Sequence, residues 1–188
     1  MARKKLKRIQ EAAELPNLFV HPDNPDSYPN LKPLALAGPV FLELGCGKGD
    51  FSLGLSQLYP DANVIGLDMK LDRLWYGAHG ALDQKNDRVR FLKANVRHLG
   101  SLFNPTSLSA IWITFPDPHP KNSAERKRLT HPSFLSIYRT LLSSEGLLYL
   151  KTDDLGFLIT PGFSWPMPAL QFLRRFMMFM PSLKFLNF

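Results

Sequence analysis

The chain has one cysteine, Cys46, in 188 residues. That rules out an intramolecular disulfide framework and leaves no thiol cluster for a metal, so a reducing, cytoplasmic setting is expected. The five histidines, at 21, 79, 98, 119 and 131, are scattered and show no ligand spacing, so no metal is expected. Long apolar runs are also scarce ahead of the final segment. The start, MARKKLKRIQ, is basic with no apolar core behind it, which excludes a secretory signal, and no acid-free stretch spans a bilayer. Acid is the minority charge, 16 Asp and Glu against 23 Lys and Arg, for a net charge of +7. This balance favours a polyanionic partner through counterion release, and equally describes a solvated basic surface. The hydrophobic content of 45% is enough for one layered core without crosslinks.

Three textures divide the chain. Residues 1–38 hold the basic start and the proline-dense stretch HPDNPDSYPN, which reads as an arm and linker. From residue 39 to 154, short apolar runs alternate with helical stripes, the pattern of an α/β domain around a parallel sheet. Strands are predicted at 40–42, 64–67, 89–92, 111–115 and 147–150. Helices are predicted from the stripes Phe51, Leu55, Leu58, Tyr59; Leu71, Leu74, Trp75, Ala78, Leu82, weakened by Gly77 and Gly80; and Phe134, Ile137, Tyr138, Leu141 with Pro132 in the first turn. Right-handed crossovers then place ligands beyond the strand carboxyl ends, where strand order reverses. Glu43 to Gly49, Asp68, Asn95, Asp117 and Asp153 each follow one of the five strands.

Gly45, Gly47 and Gly49 form a GxGxG turn between a strand and a helix, where a missing Cβ permits the tight turn and close approach of a ligand. Asp68 ends the next strand, where an acid accepts from ribose hydroxyls. Adenosine binding follows. A dinucleotide fingerprint needs a sixth-position glycine for its pyrophosphate, and Asp50 stands there. Asp50 and Glu43 suit a cationic sulfonium amino acid better than phosphates, since opposite charges attract. Asn95, in KANVRHL, offers an amide to the adenine edge or caps a turn.

In WITFPDPHPK, residues 112–121, Asp117 sits between two prolines just past a strand, so its carboxylate is held on a stiff loop or caps a rigid turn. Arg126, Lys127 and Arg128 follow with only Glu125 opposing them, as phosphate contacts or as a solvated face.

The segments FLELGCGKG, IGLDM, ANVRHL, FPDPHPK and KTDD, in this order and spacing, resemble the tRNA (guanine-N7-)-methyltransferase family over about residues 33–154. FPDPHPK is the diagnostic part; His119 stands where the common bacterial form has Trp. The resemblance implies a Rossmann-like class I methyltransferase sheet, mostly parallel, with helices on both faces. It implies S-adenosyl-L-methionine as methyl donor and N7 of a guanine in the tRNA variable loop as acceptor. By resemblance Glu43, Gly45, Gly47, Asp68, Asn95 and Asp117 would hold the donor, Lys121 and Asp153 the RNA substrate, and residues 123–128, with Arg126, Lys127 and Arg128, the tRNA body. Guanine N7 carries a free lone pair at neutral pH, so no general base is needed and positioning should dominate the rate. Asp117 would then orient the guanine and stabilise the positive charge that develops on it.

Residues 155–188 break the pattern, with seven of the fourteen Phe, four Pro, three basic residues and no acid. The family pattern would continue with a helix, an antiparallel hairpin and a Thr-x-Tyr-Glu motif, none of which is recognisable. The expectation is a tail out of frame and a sheet lacking its last strands, rather than a membrane helix, for which the tail is too short and too interrupted by proline. Two further readings stay open: an inactive RNA-binding remnant, and an NAD-dependent oxidoreductase.

Overall fold

The computed structural model describes residues 2–21 and 36–152. Asp153 and the tail, on which several expectations rest, lie outside the described residues. In chain order the elements are α1 (Ala2–Ala12), β1 (Leu18–Val20), β2 (Val40–Leu44), α2 (Asp50–Leu58), β3 (Asn63–Asp68), α3 (Leu71–Asp83), β4 (Val89–Lys93), a 3-10 turn (Val96–His98), α4 (Leu99–Leu102), β5 (Leu108–Thr114), a second 3-10 turn (Asn122–Lys127), α5 (Pro132–Leu141) and β6 (Leu142–Lys151). The five strands predicted from apolar runs are all present. Their order is β1-β4-β3-β2-β5-β6, and every pair is parallel. The chain runs outward from β2 through β3 to β4, then returns to β5 and β6 on the other side. The reversal falls between β2 and β5, so a crevice opens at their carboxyl ends.

Alternation along the strands feeds two cores. On one face Val40, Leu42 and Leu44 of β2 meet Leu99 and Leu102 of α4 and Phe134, Tyr138 and Leu141 of α5. On the other, Val64, Phe91 and Trp112 meet Leu55 of α2, Leu74, Ala78 and Ala81 of α3, and Ala12 of α1. The fully buried Phe91 explains why glycine interrupts the α3 stripe. A Cβ on Gly77 would come within 2.5 Å of its ring, and Gly49 and Gly66 face the same ring at 2.5 and 2.8 Å. Burying a ring of this size stabilises by about 1.5–3 kcal/mol, which offsets the roughly 1 kcal/mol cost of glycine in a helix.

Two features depart from the sequence reading. Part of the amino-terminal segment joins the sheet as a sixth strand: Leu18 is buried, Phe91 N donates to Asn17 O at 2.8 Å, and His21 N donates to Lys93 O at 2.9 Å. α1 packs on α3, with a Lys5–Asp72 ion pair at 3.7 Å, and Asn17 Nδ2 donates to Ala78 O at 2.9 Å. A three-residue strand held by non-local pairing leaves almost no periodic trace. The second departure is β6, which begins directly at the end of α5. Its pairing with β5 jumps from Leu108↔Leu142 to Ala110↔Leu147, so residues 143–146 bulge. Gly146 makes this feasible, because a Cβ there would meet Ser143 N at 2.9 Å.

Candidate active site

The turn after β2 is held by its own backbone. Gly45 N and Cys46 N both donate to Leu67 O, at 2.8 and 3.0 Å, and Gly49 N donates to Cys46 O at 2.9 Å. Gly45, Gly47 and Gly49 have φ of 73, 60 and 82°, the left-handed region that glycine enters without penalty. A Cβ on Gly47 would meet nothing within 4 Å, and one on Gly45 only Leu129 at 3.9 Å, so these two face open space while Gly49 faces Phe91.

Asp68, at the end of β3, is 9% exposed and bonds across the turn: Oδ2 accepts from Gly47 N at 3.0 Å and Oδ1 from Lys70 N at 2.8 Å. Each oxygen keeps a second lone pair for a ligand hydroxyl. Glu43 lies beneath the turn at 1% exposure. Its Oε2 accepts from Ser52 Oγ at 2.5 Å and its Oε1 from Thr114 Oγ1 at 2.7 Å. Burial pushes this carboxyl above its ordinary pKa, and the two hydroxyls only partly counter that. Cys46, also buried, is pushed well above the ordinary thiol pKa by burial and by the nearby Glu43 and Asp68 carboxyls, which disfavours its thiolate. Asn95 sits on the adjacent strand's exit, where Ala94 N donates to Asp68 O at 3.3 Å. Asn95 Oδ1 caps the 3-10 turn by accepting from Arg97 N at 3.0 Å, which leaves its amide nitrogen for other work.

The second loop leaves β5. Phe115 and His119 hold left-handed backbones, φ 46 and 43°, which costs strain for residues with a Cβ. The loop is tied at both ends: Phe115 N donates to Lys151 O at 2.8 Å, and Arg128 Nε and Nη2 donate to His119 O at 3.2 and 3.1 Å. Behind it Tyr138 Oη donates to Leu129 O at 3.1 Å, and burial raises the phenol above its ordinary pKa. Between the ties Asp117 is exposed, as are Lys121, Arg126 and Lys127 further on.

The carboxyl edge of the sheet therefore gathers Glu43, Gly45, Gly47, Asp68, Asn95 and Asp117. Of the basic trio, Arg126 and Lys127 are exposed, while Arg128 turns inward to hold the loop. Sequence reasoning missed Ser52 and Thr114, although a buried carboxylate requires such donors. It also missed Phe115, whose ring stays 54% exposed beside Asp117. Among the described residues no group of three or more His, Cys, Asp or Glu gathers as a metal site, and no helix is long and apolar enough to cross a membrane.

A doubly wound parallel sheet with a glycine turn, an acid at the end of the next strand and a second acidic loop across the switch point has the architecture of a nucleoside-cofactor enzyme of the α/β class. A family model described as "Putative methyltransferase" matches residues 37–160. The tRNA (guanine-N(7)-)-methyltransferase of Cytophaga hutchinsonii is 38% identical over 159 residues, covering 82% of this chain and 71% of its own. That of Christiangramia forsetii is 42% identical over 116 residues, covering 62% and 52%, and that of Bacteroides fragilis 35% over 165 residues, covering 82% and 64%. The chain belongs to the tRNA (guanine-N7-)-methyltransferase family. It spans between about half and seven-tenths of the length of these relatives.

Proposed function

We propose that the chain transfers a methyl group from S-adenosyl-L-methionine to N7 of a variable-loop guanine in tRNA, in the cytoplasm. One contact carries this reading. The 2.7 Å bond from Thr114 Oγ1 to Glu43 Oε1 bridges the switch point, tying the strand that ends in the glycine turn to the strand that ends in the Asp117 loop. A donor on one loop and an acceptor on the other would meet there.

The residues present fit the donor. The open side of Gly45 and Gly47 would admit its amino-acid arm, Asp68 would accept from the ribose, and the Asn95 amide would serve the adenine. Glu43 is buried at 1% exposure, so it would act from below, supporting the turn and, when ionised, favouring a cation above it. The bound donor supplies an electrophilic methyl on a sulfonium. That methyl would pass to the guanine N7 lone pair, with the electron pair of the broken S–C bond left on the donor's sulfur. No proton moves, so the protein's task is alignment and charge. Asp117 takes the donor groups of the guanine edge and faces the ring's developing positive charge. Lys121, Arg126, Lys127 and Asp153 would engage the RNA, and Arg128 serves by holding the loop.

In this reading residues 39–154 form the donor-binding domain, joined by α1 and β1 of the basic amino-terminal segment, and 155–188 an atypical tail. The test is methylation of unmodified tRNA transcript followed by mapping of the modified atom. N7 of a variable-loop guanine is expected, and Asp117→Ala should reduce transfer at least about a hundredfold. Methylation elsewhere would overturn the acceptor assignment. Tight tRNA binding with no transfer would favour a binding remnant.

A further inference from the structure

A cavity of about 480 Å³ opens beside the Asp117 loop, lined by Arg97, Arg126, His131, Ser133, Phe134 and Ile137. The six residues come from two stretches far apart in sequence: Arg97 from the turn after β4, and the other five from the turn before α5 and α5 itself. Both guanidiniums are permanently charged; both residues are exposed, so solvent screens their repulsion while the space they line favours an anion. No carboxylate lines the cavity, α5 has no acid in its first turn, and neither guanidinium forms an ion pair with a described residue.

The backbone is not what waits for an anion here. Ser133 N donates to His131 Nδ1 at 3.3 Å, Phe134 N and Leu135 N donate to His131 O at 2.9 and 3.1 Å, and Pro132 has no N–H. Because Nδ1 accepts, the neutral ring carries its proton on Nε2 and is itself a donor. Ser133 Oγ lies 2.7 Å from the same Nδ1, and its oxygen has lone pairs with which to accept. Side chains alone thus offer two forks and one imidazole N–H, with a hydroxyl oxygen beside them. The floor is apolar: the buried ring of Phe134 and the flank of Ile137.

We infer that this cavity binds one nucleotide of the RNA substrate, its phosphodiester between Arg97 and Arg126 and its sugar and base over Phe134 and Ile137. A free anion would have no use for the floor. A ribose hydroxyl is the natural donor to Ser133 Oγ. The inference rests on the tRNA reading above and adds Arg97, His131, Ser133 and Phe134 to the acceptor side. Arg126 belongs to this pocket rather than to a patch with Lys127 and Arg128.

The test is tRNA affinity of the full chain at several salt concentrations for wild type, Arg97→Ala, Arg126→Ala and the double variant, with methyl-donor affinity measured alongside. Each single change should weaken tRNA binding roughly tenfold and reduce the salt slope by about one. The double variant should lose much less than the product of the two, because both forks hold one phosphate. Arg97→Lys should restore part of the loss, since it keeps the charge without the fork, and donor affinity should not move. Single variants that bind as wild type does, or losses that simply multiply, overturn the pocket. Wild type that binds tRNA with the expected coupling yet methylates nothing leaves the pocket standing and removes the function reading. Wild type that binds no tRNA removes both.

Discussion

The two loops at the sheet's carboxyl edge are built on opposite plans. The glycine turn is saturated from within: four of its amides end on Leu67 O, Cys46 O and the Asp68 carboxylate, and Glu43 is sealed beneath it. Among the described residues the Asp117 loop is held at its ends, by Phe115 N on Lys151 O and by Arg128 on His119 O, with Asp117 exposed. A small ligand of fixed shape rewards a cradle formed before it arrives, because no ordering cost then falls on binding. A macromolecular acceptor cannot enter a buried cradle, so its side must stay open and keep its aim by tethers. Stability should therefore respond to changes in the first loop, and turnover to changes in the second.

The sharpest attempt to break this contrast lies within the glycine turn. Gly49→Ala puts a methyl 2.5 Å from Phe91 on a backbone of φ 82°, and overpacking plus left-handed strain should cost about 3 kcal/mol or more. Gly47→Ala, at φ 60° with open space above, should cost only about 1–2 kcal/mol. Its methyl points to where the donor would lie, so donor affinity should fall sharply instead. Urea unfolding and donor titration on both variants separate the two. Equal stability losses would mean that the turn is one rigid unit without a distinct ligand-facing side.

The donor half was the more legible in sequence for the same physical reason. Its function depends on glycine spacing and on an acid one strand further on, both visible along the chain, and the strands on either side are dense apolar runs. The acceptor half depends on direction. Arg126, Lys127 and Arg128 look alike as letters, yet one lines a cavity, one is solvated and one donates to His119 O. Nothing local tells Arg97 and Ser133 that they will share a cavity. β1 was hidden because Leu18–Val20 is too short for a period, and α1 because its exposed Lys and Arg outnumber its apolar contacts. Ser52 and Thr114 could have been sought from Glu43, since an acid at the end of a buried strand must find donors.

A smaller effect is expected from the tether itself. Arg128→Ala removes both bonds to His119 O and frees the far end of the Asp117 loop, while the core and the glycine turn are untouched. Methyl transfer should fall roughly tenfold through loss of alignment, with donor affinity unchanged and unfolding within about 0.5 kcal/mol of wild type. A salt slope reduced by about one would instead place Arg128 on an RNA phosphate. Retained transfer with an unchanged slope would show that the loop keeps its aim without this tie.

Glu43→Gln probes the seam between the halves and should change stability least. The amide oxygen can accept from Ser52 Oγ, and the amide nitrogen can donate to Thr114 Oγ1, so the bridge across the switch point survives. What disappears is the charge. Burial raises the folded-state pKa of Glu43 above its unfolded value, so the folded state binds the proton more tightly. Wild type is therefore favoured below the ordinary carboxylate range and loses stability relative to the variant as pH rises through the raised value. Melting curves across that window should converge at its acid end and leave Glu43→Gln equal or higher at neutral pH. Donor affinity should move the other way, falling several-fold in the variant at neutral pH, because a cation no longer lies above an ionised carboxylate. A variant that melts lower at neutral pH while binding the donor as tightly as wild type would make Glu43 a structural brace alone, and the charge beneath the turn would have no part in choosing a sulfonium over a phosphate.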